Sequence, residues 1–103
     1  MKLLPAGPEA RQDRAASELL HDEPNVRIVA FHLLQGQEIA SHSSTSTVLL
    51  QVVAGRGTFI GQDTELRLSA GDGAVYAPGE AHAIRASDGP LRFNAVITPR
   101  PGG

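Results

Sequence analysis

The sequence predicts an all-β protein, an antiparallel sandwich or barrel, on three observations. Eleven glycines and seven prolines are spread over 103 residues, so turn signals recur along the whole chain. Between them lie about eight apolar or alternating runs, each too short for a helix. The longest of these is rich in the β-branched and aromatic residues that suit a pleated surface.

Taken in order, residues 1–16 read as an N-terminal arm, because Pro5, Gly7 and Pro8 interrupt them and Glu9 to Arg14 are mostly polar. Ala10 to Leu20 contains good helix formers but no clear apolar stripe, and Ser17 to Leu20 reads equally well as a strand. His21-Asp22-Glu23-Pro24-Asn25 is a polar turn that hands over to Val26–Leu34, the most β-prone stretch in the chain. Apolar residues stand on both faces of that strand, which predicts that both faces are covered, a second subunit being one available cover. Gly36 ends the strand. Ala40 to Thr47 is then a strand approach with a hydrophilic lining, running without a break into Thr47–Val53.

Gly55-Arg56-Gly57 predicts a turn, Thr58-Phe59-Ile60 a short strand, and Gly61-Gln62-Asp63 a further turn. Thr64 to Leu68 alternates, with Thr64, Leu66 and Leu68 on one face. Gly71-Asp72-Gly73 is a turn, Ala74 to Ala77 a strand, and Pro78-Gly79 the strongest turn dipeptide in the chain. His82 therefore opens a strand directly after a rigid corner. Proline fixes its own φ and glycine supplies whatever φ the corner demands, so a side chain there is aimed by backbone that cannot easily relax. That is a suitable place to hold a ligand. Ala83–Ala86 and Leu91–Ile97 are the last strands, around the turn Ser87-Asp88-Gly89-Pro90. Residues 17–98 form a single domain, and residues 99–103 form a flexible tail.

Composition limits the functional classes. The chain has no cysteine, so a disulfide framework, a zinc finger and a thiol nucleophile are excluded. A net charge of −2 without a basic cluster argues against nucleic acid as a partner. No apolar run reaches membrane-spanning length, and Pro5 interrupts the first residues before a signal-peptide core forms, so a cytoplasmic protein without a membrane partner is expected. No serine sits in a strand-to-helix elbow, and no acid stands at a fixed spacing from His42 or His82, which leaves nucleophilic catalysis without support.

One pair of spaced patterns carries more. Gly36, His42 and Gly55 keep the spacing glycine, five residues, histidine, then glycine thirteen positions on. Gly71, Gly79 and His82 keep a second spacing that ends in the His82 strand. Over residues 26 to 97 the chain resembles a small single-domain cupin, a jelly-roll β-barrel of the double-stranded β-helix type. In that family the first motif supplies two histidines and a glutamate, and the second supplies a third histidine, to a divalent metal inside the barrel. Here His42 and His82 occupy two of the four ligand positions. Ser44 stands at the second histidine position and Val48 at the glutamate position, while Ala77 and Ala86 replace a proline and an asparagine of the second motif.

What the resemblance implies is a barrel with a reduced His42/His82 centre. Two neutral imidazoles can hold a Zn, Fe, Ni, Cu or Mn ion weakly, or none at all, with His32 or solvent completing the shell. The alternative reading of the same residues is that His42 and His82 are hydrogen-bonded histidines at a barrel mouth. Ser44, at an inward position, is the expected ligand contact. Tyr76 either belongs to the core, with its hydroxyl reaching a partner, or points into the pocket as a second ligand contact. For His32 and His21 the structural reading is favoured, the first being a strand residue among apolar neighbours and the second a turn residue.

Two functions follow as expectations. The first is a small-molecule-binding or sensing module. The second is an enzyme with His42 and His82 as its catalytic candidates, either a metal-dependent oxygenase completed by His32 and water or a metal-free acid-base isomerase. A homodimer is expected from the two-faced apolar strands.

Overall fold

The computed structural model of the protein describes residues 1–101 and contains eight strands and no helix. These are β1 (Ala16–Glu23), β2 (Val26–Leu33), β3 (Glu38–His42), β4 (Thr47–Ile60), β5 (Glu65–Ser69), β6 (Gly73–Tyr76), β7 (His82–Arg85) and β8 (Leu91–Thr98). Every pairing is antiparallel, in the order β1-β2-β8-β4-β7-β3, with β5 and β6 also paired to β4. The expected all-β jelly roll is the fold observed.

β4 organises the barrel. Its first half pairs with β8 and β6 in one sheet, and its second half pairs with β5 and β7 in the other. Gly55-Arg56-Gly57 is therefore not the expected turn. The strand continues through it, with a bulge between Val52 and Ala54 and Gly55 at φ 76° bending the chain from one sheet to the other. Glycine is required at that corner, because a Cβ on Gly55 would run into the carbonyl oxygen of Pro90.

Three tight turns share one chemistry. In Leu34–Gln37, Ser69–Asp72 and Ala77–Glu80 the fourth residue donates its N–H to the first carbonyl at 2.9–3.0 Å. Gly36, Gly71 and Gly79 fill the third positions with φ of 89°, 96° and 83°, as a type II turn requires. The first connection is tighter than expected: β1 continues through Glu23, and the polar turn shrinks to Pro24-Asn25. An Asp22–Arg27 ion pair at 3.3 Å spans this hairpin. Of the two alternatives for Ala10 to Leu20, the strand is the one observed, from Ala16 onward. Leu66 and Leu68 differ in burial, since Leu66, at 44 % exposure, lies on a strand paired only with β4.

Side chains alternate strictly on β8: Leu91, Phe93 and Ala95 point inward, and Arg92 and Asn94 point outward. Phe93 stacks on Phe31 with ring centroids 4.9 Å apart and meets Phe59 edge-on at 5.6 Å. With Leu33, Leu50 and Ile84 these aromatics form the core, each large side chain contributing about 1.5–3 kcal/mol by leaving water.

The outer face of β2 has a cover from the chain itself. The N-terminal arm crosses it, held by Arg92 donating to the Ala6 carbonyl, His32 Nδ1 to the Pro8 carbonyl, and Gln37 Nε2 to the Arg11 carbonyl. Ala16, Leu20 and Ala30 are buried on that side. Beyond the arm a row of apolar residues, half-buried Val96 and exposed Leu49 and Val75, continues in register across β8, β4 and β6. Of the expected tail, Pro99 accepts a hydrogen bond from the Ser46 hydroxyl and the Arg100 N–H donates to the Pro24 carbonyl, while Gly102 and Gly103 lie outside the described residues. No helix among the described residues is long and apolar enough to cross a membrane.

Candidate functional site

The two histidines meet by register. β3 and β7 pair antiparallel with His42 directly opposite His82, and the rings lie 4.1 Å apart between centroids at 62°. The long intervening segment closes into this contact through the corner at Gly55 and the turns at Gly71 and Gly79. The Pro78-Gly79 corner is itself fastened to the first motif, since the Gly79 N–H donates to the Ser44 carbonyl at 2.7 Å. Glu80 completes the corner by accepting the Ala77 N–H on Oε1.

Each ring has its hydrogen placed by a backbone carbonyl. Nδ1 of His82 lies 3.2 Å from the Glu80 oxygen, and Nδ1 of His42 lies 3.0 Å from the Ala40 oxygen. A carbonyl only accepts, so each neutral ring carries its hydrogen on Nδ1 and its lone pair on Nε2. His82 is 4 % exposed, yet its Nε2 has no partner among the described residues and is not sealed from the accessible surface. The His82 ring lines a cavity of about 80 Å³.

That cavity is the inside of the barrel at the β3 and β7 end. His42, Ser44 and His82 lie at its polar end, and Phe31, Phe93, Val48 and Ile84 are among its apolar walls. Ser44 Oγ accepts the Ser46 N–H at 3.1 Å, which leaves its own hydroxyl hydrogen unassigned. Tyr76 lies behind the site. Its ring packs on His82 with centroids 4.7 Å apart, its hydroxyl donates to the Ile60 carbonyl at 3.2 Å, and it lines a separate cleft with Glu80. Burial, and secondarily the Glu80 carboxylate, push the Tyr76 phenol up to about 12, so it remains protonated.

His32 does not join the pair. Strand alternation puts it on the face of β2 opposite Phe31, and its Nδ1 is engaged with Pro8 on the arm. The strand-residue reading of His32 is therefore the one observed, and the alternative in which it completes a metal shell is corrected. His21, at the β1 end, donates from Nε2 to Glu23 at 3.0 Å. Among the described residues, no third His, Cys, Asp or Glu stands close enough to make a metal-ligand group. A resident divalent ion needs three or four donors, at least one commonly anionic, and Val48 fills the anionic position with hydrocarbon. The donor set does not fit a resident metal.

The cavity walls were legible only in part. Phe31 and Phe93 belong to strands that were recognised, and the alternation from Leu91 through Phe93 to Ala95 was the signal that could have placed them inside.

Burial holds the His82 imidazole below its ordinary range, and the neighbouring His42 acts in the same direction, against the Glu80 carbonyl and carboxylate. Protonation is therefore favoured in the unfolded chain. The stability associated with neutral His82 is complete above the unfolded value, ~6.5, and is lost as pH falls through the lower folded value. We expect urea midpoints of the parent to fall between about pH 7.5 and about pH 5 more steeply than those of His82→Gln. Parallel curves for parent and variant would contradict this reading.

A jelly-roll barrel whose third and seventh strands bring a histidine each to one cavity, closed by glycine turns at the first and second motifs, is a cupin. The chain belongs to the AraC-like ligand binding domain family, whose sequence model matches residues 28–101. In three dimensions it is similar to an RmlC-like cupin protein from Desulfovibrio desulfuricans, with 28 % identity, a TM-score of 0.85, and 96 % and 97 % of the two chains covered. It is also similar to a Klebsiella pneumoniae protein with a double-stranded β-helix domain, with 26 % identity, a TM-score of 0.84, and 92 % and 85 % covered. The protein TT1209 from Thermus thermophilus superposes with a TM-score of 0.86 at 21 % identity, over 91 % of each chain. No curated protein matches the chain.

Proposed function

We propose that the protein is a small-molecule-binding cupin module whose ligand enters the cavity beside His42 and His82. The observation that carries this reading is the facing pair of imidazoles, in which buried His82 and its neighbour His42 line one largely apolar cavity and neither Nε2 has a partner among the described residues. Partly accessible acceptors converging beside an apolar cavity are the polar groups by which such a pocket orients a ligand. Membership of a ligand-binding family supports the same reading.

Binding is tested by thermal unfolding against a library of small apolar molecules, in the parent and in Ala95→Leu. Ala95 is 4 % exposed and lines the cavity, so leucine there fills the space a ligand would use. A ligand at about a hundred times its Kd stabilises the parent by ~2.7 kcal/mol, and the filled variant is expected to lose that shift. A ligand shift retained in full by Ala95→Leu would place binding elsewhere.

A binding module without a resident metal also has a definite metal content. Protein purified without chelator is expected to carry far less than stoichiometric divalent metal, unchanged in His42→Ala and His82→Ala. Near-stoichiometric metal in the parent that vanishes in both variants would overturn the metal-free reading.

A further inference from the structure

Taking the cavity as the binding site, we infer that its ligand is a neutral hydrophobe headed by a single hydroxyl, an alcohol or a phenol, whose O–H donates to the histidine pair. Every polar group at the site points to that head. Both rings line one cavity, and the Ala40 and Glu80 carbonyls put both ring hydrogens on Nδ1. The pair is left with acceptors only, and no protein donor serves them among the described residues. Ser44 contributes the complement: its oxygen already accepts from Ser46, so its hydrogen remains to be donated. A hydroxyl is the smallest group that both donates to an imidazole nitrogen and accepts from a serine.

The walls exclude the other obvious heads. No lysine or arginine lines the cavity, so a carboxylate or phosphate would be desolvated without a counter-charge and would face two nitrogen lone pairs. A sugar fails for a different reason. Its further hydroxyls would press against Phe31, Val48, Ile84 and Phe93 with nothing to bond, and each buried unpaired polar group carries a desolvation cost. The body of the ligand is apolar and compact, since the space beside the histidine pair is about 80 Å³ and its lining is mostly hydrocarbon. A single six-membered ring bearing one hydroxyl matches that description.

The test compares phenol, toluene, benzoate and arabinose as probes, by chemical-shift titration of labelled protein at about pH 8, where free imidazole is neutral. Phenol is expected to bind about tenfold more tightly than toluene, the discrimination a single well-made hydrogen bond supplies. Benzoate and arabinose are expected not to bind. In Ser44→Ala, and separately in His82→Gln, the preference for phenol over toluene is expected to shrink several-fold while toluene affinity is kept. Ser44 is on a partly exposed loop, so that variant is expected to fold even where the buried His82 variant does not. Equal binding of phenol and toluene would leave the pocket standing and overturn the hydroxyl inference. Preference for benzoate or arabinose would overturn it in favour of an anionic or polyhydroxylated ligand. Binding of none of the four would defeat the cavity as a binding site, and the inference with it.

Discussion

Gly55→Ala is expected to be among the most destabilising single-methyl additions in this protein, by about 3 kcal/mol or more. Two separate effects combine there. Gly55 sits at φ 76°, where an L side chain is strained by about 1–2 kcal/mol. Its Cβ would also meet the Pro90 carbonyl oxygen, which is backbone and held by the Gly55–Leu91 pairing of β4 with β8. Gly36 separates the two effects, because it has a similar φ of 89° but nothing within 4 Å of where its Cβ would stand. Gly36→Ala should cost only the strain, about 1–2 kcal/mol. Urea denaturation of both variants measures the difference. Equal losses would mean that the corner relaxes and that the contact with Pro90 is not what makes glycine necessary.

Phe93→Ala is expected to cost about 3–5 kcal/mol, a large share of the stability of a domain this size. Phe93 is 1 % exposed and sits between Phe31 and Phe59, so its loss leaves two aromatic faces without a partner. It is also a wall of the cavity, which gives the substitution a functional consequence. Phe93→Leu keeps most of the packing, with an expected cost nearer ~1.5 kcal/mol, and widens the cavity by the difference between a ring and a branched chain. In that variant, bulkier ligands should gain affinity relative to compact ones. A preference that does not change with Phe93 would show that the ligand does not reach the aromatic end of the cavity.

Local chemistry made much of the barrel readable. Pro78-Gly79 announced the corner before His82, because a type II turn needs a proline-compatible second position and a glycine third. Gly36 and Gly71 announced turns on the same ground. The failures occurred where distant parts of the chain decide. Gly55-Arg56-Gly57 has turn composition, but β5, β7 and β8 pair on either side of it, so the glycines serve a bend in a continuous strand. Asp22 and Glu23 look like turn residues, but pairing with Arg27 and Val26 draws them into β1.

The site divides in the same way. The spacing of Gly36, His42, Gly55, Gly71, Gly79 and His82 was enough to single out His42 and His82, because glycine and proline constrain the backbone within a few residues. The sequence by itself determined the all-β jelly roll, the glycine turns at Gly36, Gly71 and Gly79, and the two histidine positions that meet at the cavity. Tertiary structure decided which nitrogen each ring presents, that His32 faces the N-terminal arm, that Tyr76 stands behind His82, and that Phe31 and Phe93 close the cavity. Those facts depend on the register between β3 and β7, on the crossing of β4 between sheets, and on the arm lying over β2. Each is a contact between segments far apart in the chain, and side-chain direction in a strand reverses with every residue of register, so no local pattern specifies them.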